Sequence, residues 1–412
     1  MTLLDEVRSS LADRPADELI PALRRGQGLE VAVVEDAAVL GDRSAVVAIR
    51  LADERRLLVP LIRDGSWRRA TAADGVSMAA LTAPMPIRVR SISHCPSVDS
   101  SRERDLAVDM SNDVRVIDSA VVAKWQLFGE SGSLAGPRVV AHLVAAGFDE
   151  MPEPIATVEW HDELLVSYAR YLPGAEDGWE WMLRDVSAYV IGEAPRPDWA
   201  TAVGALTARM HAAASRPSSV IPQPMTSVDL APLAAHYQRL LDASGSLDQE
   251  MSDALLASSE RFERAWLTLS AARSVEAIPI HGDLHAGQFL RWPGGIVVND
   301  FDGNPLLPPD QRGAPGPTAL DVAALIRSLD HVAIAAARRT GDPAALDAAR
   351  KWSREARSEA LAGYLATPAV PHLDVNLVAA FESLSPLHEA VYAATYLPRW
   401  RYVPLAVLRG DW

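Results

Sequence analysis

Residues 278–304, IPIHGDLHAGQFLRWPGGIVVNDFDGN, hold the side chains best suited to chemistry. Asp283, Gln288, Asp300 and Asp302 all offer oxygen atoms, and Pro293-Gly294-Gly295 separates the β-rich run Gln288–Trp292 from Ile296–Val298. Such a spacing predicts a hairpin, because glycine reaches backbone angles that other residues resist. A hairpin brings Asp283, Gln288 and Asp300 together although they span eighteen positions. Phosphoryl transfer from a nucleotide needs that set: one carboxylate to accept the proton of the attacking hydroxyl, and two oxygen ligands to hold Mg2+ against the phosphates. The competing readings are a surface hairpin in which His281 and His285 cap turns, and a zinc site on those two histidines. No further Cys/His cluster follows to complete the zinc site.

The protein-kinase catalytic loop spaces its base and its amide ligand as D-x-x-x-x-N, and a later Asp-Phe-Gly supplies the second ligand. Here Gln288 stands five residues after Asp283, and Asp300-Phe301-Asp302-Gly303 follows. HGDLHAGQ with NDFDGNP resembles the signature of the aminoglycoside-phosphotransferase-like kinases, and most of all their maltokinase-like branch, in which Gln replaces the usual Asn. Within that branch the chain is similar to the actinobacterial glucosamine kinases. The resemblance covers residue 110 to the C terminus and is firmest over 281–304.

The resemblance implies an α+β, bilobal protein-kinase-like fold with an N-terminal β-rich cap, and an ATP- and Mg2+-dependent sugar kinase. Asp283 is then the general base, and Gln288 and Asp300 are metal ligands. Asp302 is a further metal ligand or an acceptor contact. Val121-Val122-Ala123-Lys124 resembles the strand whose lysine pairs with nucleotide phosphates. Ser167, Tyr168, Ala169 and Arg170 fall where the family's interlobe hinge hydrogen-bonds adenine, so that the nucleotide would lie between the lobes. Asp321, in the apolar run Leu320–Leu325, needs partners if buried. In kinase-like folds the corresponding residue receives backbone N–H groups of the catalytic loop, a support that His281 shares.

Near the C terminus, Glu389, Tyr392 and Tyr396 share a helix face at i, i+3 and i+7. With His388 and Trp400 they make an aromatic and carboxylate surface of the kind that binds sugars, and a carboxylate would also pair with an ammonium group. Core packing of the tyrosines is the alternative. The resemblance favours acceptor binding here and D-glucosamine as the acceptor, giving the 6-phosphate. Maltose, phosphorylated at position 1, an aminoglycoside, or a pseudokinase acting as a binding module are the other readings.

Three segments must position these residues. Residues 1–90 read as the cap: an amphipathic helix begins within 3–25, and strands follow at Leu29–Val34, Ala45–Leu51 and Arg56–Ile62. Residues 91–168 read as an N-lobe, with strands at Val114–Ile117, Ala120–Trp125 and Leu164–Tyr168 and a helix at Pro137–Ala146. That helix carries Arg138 and His142 but no glutamate for Lys124, and no glycine lies between Gly75 and Gly129 to build a Gly-rich phosphate hairpin. Residues 169–412 read as a helical C-lobe. Asp177 caps a helix there, and helices follow at 198–215, 227–243 and 248–272, with His211 on a buried face. Thr318 is expected to cap the helix that carries Asp321, and the last helix to span Val375–Tyr396.

The 412 residues carry 39 basic against 54 acidic side chains, a net charge of −15 that argues against a nucleic-acid partner. Cys95 is the only cysteine, so no internal disulfide forms and a reducing cytoplasm is the expected location. The start, MTLLDEVRSSLADR, lacks a signal-peptide pattern, and no apolar run approaches membrane-spanning length. A small-molecule amino-sugar partner and a monomer or weak homodimer are expected.

Overall fold

The computed structural model describes residues 2–12, 18–20, 30–106, 112–304, 307, 311–395, 397–410 and 412. It divides into two compact units, one of residues 1–141 with 152–173 and the other of 142–151 with 174–412.

The first unit opens with α1 (Leu3–Leu11), held at its start by a capping box between Thr2 and Asp5, and α2 (Ser77–Ala80) and α3 (Ala135–Ala145) follow in chain order. Of the expected helical stretch 3–25, residues 13–17 and 21–25 lie outside the described residues, as does Leu29. Strands β1 (Val31–Gly41), β2 (Ser44–Leu51), β3 (Arg56–Asp64) and β4 (Ser66–Arg69) form an antiparallel meander. All of β2 except Arg50 is buried, so the run reads as continuously apolar rather than alternating. A second sheet has six strands: β5 (Arg88–Ser91), β6 (Glu103–Asp105), β7 (Asp113–Ile117), β8 (Val121–Trp125), β10 (Pro154–Trp160) and β11 (Glu163–Arg170). Their spatial order is β5-β10-β11-β8-β7-β6, while the short β9 (Phe128–Gly129) crosses to pair with β3 of the first sheet. One apolar cluster joins the two sheets, from Val46 and Leu58 to Trp125, Val158 and Tyr168.

The second unit is mostly helical: α4 (Gly178–Val190), α5 (Ala200–Ala214), α6 (Ala231–Ala243), α7 (Gln249–Ala257), α8 (Ser259–Ala271), α9 (Thr318–Thr340), α10 (Pro343–Ala366), α11 (Val375–Thr395) and α12 (Tyr402–Leu408). α9 runs through its core and is buried from Leu325 to Asp330 without a break. α5 and α10 approach at two glycines. A Cβ on Gly204 would stand 1.9 Å from Ala360 O, and one on Gly363 would stand 2.2 Å from Thr201 O. A two-stranded hairpin, β14 (Phe289–Trp292) and β15 (Gly295–Val298), carries the candidate chemistry as expected.

Several local expectations are corrected. The apolar run Ile278–Ile280 suggests a strand before the catalytic loop, but the strand there is β13 (Val275–Ala277), paired with β12 (Thr226–Val228), and Ile278 keeps a single bridge to Gly316. Pro279, which has no N–H, cannot extend that ladder. The same pairing turns the start of the expected helix 227–243 into a strand, and the expected 248–272 helix breaks at Ser258. Thr318 is the first residue of α9 rather than its cap, because its hydroxyl donates to His372 O and Pro317 holds the cap position.

Candidate active site

The loop that carries Asp283 is held mainly by its backbone. Asp321, buried near the start of α9, accepts the N–H of His281 on Oδ2 (2.8 Å) and of Gly282 on Oδ1 (2.9 Å). His211 Nε2 reaches Asp321 Oδ2 at 3.0 Å, and the Tyr364 hydroxyl meets His211 Nδ1 at 2.8 Å. Burial opposes charge on Asp321, but the His211 hydrogen bond, the neighbouring histidines and the Gly282 N–H hold its carboxyl below the ordinary carboxylate value. Further along α9, Ser328 Oγ accepts the N–H of Ala286 (3.0 Å) and donates to Leu325 O (2.7 Å).

His281 is fixed in one tautomer. Its Nε2 lies 2.9 Å from Asn299 O, which can only accept, so Nε2 carries the proton. Nδ1 then accepts the N–H of Asp283 at 3.3 Å. The ring also packs on Phe301, with centroids 4.8 Å apart.

Asp283 itself is half-buried, with His285 Nε2 3.9 Å from Oδ2. Burial pushes its carboxyl above the ordinary value, His285 and His281 pull it down, and Asp300 and Asp321 push it up again. His285 caps the short turn Ala286–Gln288 by accepting Gly287 N–H on Nδ1, while its Nε2 lies 3.2 Å from the Gln288 side-chain amide. The hairpin register places Asp300: Asn299 N–H donates to Gln288 O (2.8 Å), so Asp300 follows the residue paired with Gln288. Asp300 adopts φ +64°, a left-handed conformation that Asp tolerates better than most residues. Asp302 is exposed. Among the described residues no group of three or more His, Cys, Asp or Glu side chains could hold a metal.

Helix α4 closes against this loop. A Cβ on Gly178 would stand 1.9 Å from Ala286 O and 2.5 Å from Phe289 O, so only glycine permits the approach. Asp177 caps α4 by accepting Trp179 N–H, as its place in the sequence suggested. Trp181 Nε1 donates to Phe289 O (3.0 Å). Arg291 pairs with Asp185 (2.7 Å) and lies over the Trp181 ring at 4.4 Å.

The expected acceptor residues fall into separate groups. His388 Nε2 accepts the Asn304 amide N–H (3.2 Å), and burial lowers its pKa to about 4, so the ring is neutral at pH 7. Glu389 binds Arg327 through both oxygens (2.9 and 3.0 Å) and His331 through one (2.9 Å). Burial opposes its charge, yet Arg327 and His331 hold the Glu389 carboxyl well below the usual carboxylate range. Glu389 therefore stands in an internal ion network, where an open carboxylate was expected. Tyr392 is half-buried on the same helix, and Tyr396 lies outside the described residues. Trp400 packs edge-on against Trp179 (4.7 Å) and beside Tyr402 (6.0 Å).

In the first unit, Lys124 stands opposite Ser167 and Val114 in the ladder, and Val122 opposite Ala169. Paired residues share a face, so Lys124 and Ser167 project together from the half-buried side. Tyr168 points the other way, is 2% exposed and donates its hydroxyl to Ser77 O. Ser167, Tyr168 and Ala169 are flanked by β8 and β10, and Arg170 N–H donates to Glu153 O. That corrects the expected role of these four: their backbone groups are committed to the sheet, and the Tyr168 side chain is core. Of the glutamates near Lys124 in sequence, Glu150 pairs with Arg209 and Glu153 with Arg170.

Gly178, Ser328, Asn304, Arg327 and His331 give no sequence signal of their own, because their roles depend on what the fold places beside them. His285 was legible only as a turn cap or as half of a zinc pair.

No protein-family model matches the chain. It is 36% identical over 395 residues to the glucosamine kinase of Streptacidiphilus jiangxiensis, covering 89% of this chain and 88% of that protein. It is 36% identical over 371 residues to the glucosamine kinase of Mycolicibacterium smegmatis, covering 85% and 92%. A solved glucosamine kinase in complex with glucosamine, ADP and inorganic phosphate superposes over 100% of this chain and 99% of its own, with a TM-score of 0.79 and 30% identity. A second glucosamine kinase structure matches with a TM-score of 0.82 at 31% identity. The α+β, bilobal kinase-like fold with an N-terminal β-sheet cap expected from the sequence is thus the observed one. The chain belongs to the glucosamine kinase family.

Proposed function

We propose that this protein transfers the γ-phosphoryl group of ATP to D-glucosamine, giving glucosamine 6-phosphate and ADP. The observation that carries this reading is the full-length match to a glucosamine kinase bound to glucosamine, ADP and phosphate, over a chain that keeps Asp283, Gln288 and Asp300 on one loop and hairpin. Asp283 orients the acceptor hydroxyl and takes its proton as the phosphoryl group arrives in line. The raised carboxyl fits that task, because a more basic carboxylate is a better proton acceptor.

The oxygens of Gln288 and Asp300, with Asp302 as a third candidate, fit Mg2+, which favours one or two protein oxygens and fills its shell with phosphate oxygens and water. Bound there, Mg2+ would neutralise charge on the nucleotide phosphates. Lys124, sharing its face with Ser167, is the proposed phosphate contact, and Leu172–Gly174, beyond Tyr171 whose N–H still donates to Ala120 O, replaces the 167–170 backbone as the proposed base contact. Asp302, His388, Tyr392 and Trp400 are the proposed acceptor contacts. Glu389 acts through Arg327 and His331 rather than by meeting the ammonium group alone. Gln288, in place of Asn, supports placement in the maltokinase-like branch. The cap 1–90, N-lobe 91–168 and C-lobe 169–412 remain the proposed functional division. A cytoplasmic monomer or weak homodimer is the form in which we expect it to act.

The test is an ATP- and Mg2+-dependent screen of glucosamine, N-acetylglucosamine, glucose, maltose and kanamycin, with the product located by 31P–1H NMR. Preferential turnover of glucosamine at O6 is expected. A preference for maltose or kanamycin, or no turnover with any acceptor, would overturn the reading.

A further inference from the structure

Strand β8 alternates: Val121, Ala123 and Trp125 are buried, while Val122 and Lys124 are half-buried on the other face. On the buried face, Trp125 Nε1 donates to Ser77 Oγ at 2.8 Å. Ser77 is the first residue of α2 and is fully buried. Its hydroxyl donates to Glu103 Oε1 (2.7 Å), its N–H donates to Glu103 Oε2 (3.2 Å), and its carbonyl accepts the Tyr168 hydroxyl. Glu103 Oε1 also accepts Arg115 Nη1 (3.0 Å). Arg115, fully buried, donates from Nη2 to Ala70 O (3.0 Å) and to Asp113 Oδ2 (2.9 Å), an oxygen shared with Arg69 Nη2 (2.7 Å). Two arginines thus meet two carboxylates, the pairing that buried charge requires.

The strand ladder directs this network at one residue. Ala123 stands opposite Arg115, Lys124 opposite Val114, and Trp125 opposite Asp113. Both chain neighbours of Lys124 are therefore cross-strand partners of charged residues in the network, and the Arg115 guanidinium lies 5.9 Å over the Trp125 ring. Arg69, Ala70 and Ser77 belong to residues 1–90, whereas Glu103, Asp113, Arg115 and Trp125 lie beyond them. In protein kinases the phosphate-binding lysine is aligned by a helix glutamate, and α3 contains no glutamate.

We propose that residues 1–90 serve the reaction by bracing β8 from behind, with Ser77 and Trp125 as positioning residues that aim Lys124 at the nucleotide phosphates. A lysine meets phosphate as a point charge on a flexible stem, so its aim depends on how firmly its own backbone is held. The brace is buried, and a buried group that loses its partner must find another, which displaces the strand that carries it. The proposal rests on the reading of Lys124 as the phosphate contact; the network and its register do not.

The experiment is calorimetric titration of the full chain with ATP and Mg2+, and separately with adenosine, which has no phosphate. The variants are Trp125→Phe, Ser77→Ala, Lys124→Ala, and Trp125→Phe combined with Lys124→Ala. Trp125→Phe keeps an aromatic ring in the core while removing the indole N–H, and it carries the test if Ser77→Ala does not fold. Trp125→Phe and Ser77→Ala should each weaken ATP binding at least threefold, with adenosine binding within twofold of the unaltered protein. KM for ATP should rise in step while KM for glucosamine stays unchanged. In the Lys124→Ala background, Trp125→Phe should weaken ATP no further, because the group being aimed is gone. Unchanged ATP binding in Trp125→Phe overturns the proposal. So do equal losses for ATP and adenosine, or a loss that persists undiminished without Lys124, since either outcome marks a general loosening of the sheet. If Lys124→Ala binds ATP as the unaltered protein does, the phosphate-contact reading itself falls, and the proposal with it.

Discussion

At the scale of single residues, Asp283 and Asp321 divide the work between charge and shape. Asp283→Asn keeps the size of the side chain and its backbone contacts but cannot accept a proton. Turnover is expected to fall by ~100-fold or more, with the thermal midpoint unchanged. The pH dependence follows from the direction of its shift. A base works only when deprotonated, so raising its pKa moves the acid limb of kcat/KM above the ordinary carboxylate range. His285→Asn removes one of the groups that lower that pKa and should move the limb further up, a displacement visible in a pH–rate profile. Asp321 is shifted the other way. Its folded carboxyl sits below the unfolded value, so its stabilisation is present above the unfolded pKa and is lost as pH falls through the folded one. Asp321→Asn leaves one oxygen for three donors. It should destabilise the protein by about 3 kcal/mol in urea unfolding, with a fall in kcat beyond any change in KM.

At the scale of elements, close approaches at glycine decide where helices sit. Gly178 lets the start of α4 rest on the carbonyls of Ala286 and Phe289. Gly178→Ala must push the helix or the catalytic loop away, and kcat should fall at least tenfold with helical content kept. Gly245→Ala, where the added methyl meets open space, is the matched control and should change neither. Gly204 and Gly363 do the same for α5 and α10, far from any proposed reacting group in sequence. Gly204→Ala should cost about 1–3 kcal/mol of stability by overpacking. Because α5 and α10 reach the catalytic loop at one remove, through His211, Tyr364 and Asp321, activity per folded molecule should fall less than in Gly178→Ala, as an assay below the new melting transition would reveal.

At the scale of the whole molecule, the metal is expected to arrive with the nucleotide. The two proposed oxygen ligands are fewer than a structural Mg2+ or Ca2+ site uses, and phosphate oxygens would complete the shell. EDTA should therefore abolish turnover while leaving the thermal midpoint of the nucleotide-free protein where it was. A large drop in that midpoint would mean that a metal helps to hold the fold. No helix among the described residues is long and apolar enough to cross a membrane, in line with the absence of a long apolar run in the sequence. The full-length superposition on glucosamine kinases places the cap sheet within the shared fold, a relation that composition and periodicity alone could not supply.

What the sequence determined by itself was local. The spacing Asp283–Gln288–Asp300, the Pro-Gly-Gly turn and the apolar runs on either side specify a hairpin with three oxygen donors at one end, because turn chemistry and strand pairing act over a few residues. For Asp321 the need was legible, since a carboxylate buried in an apolar helix must find donors, while the loop that supplies them was implied by the kinase resemblance. Tertiary structure alone decided the rest. Whether Glu389 faces a ligand or an arginine depends on Arg327, which lies 62 positions away and signals nothing on its own. Whether the 167–169 backbone is free depends on which strands flank it, and β8 and β10 occupy both edges. Trp179, Trp400 and Arg338 meet only because three distant segments pack together. Short-range sterics and periodicity are written along the chain, whereas the partners of a buried charge or an aromatic ring are chosen by packing between segments that carry no record of one another.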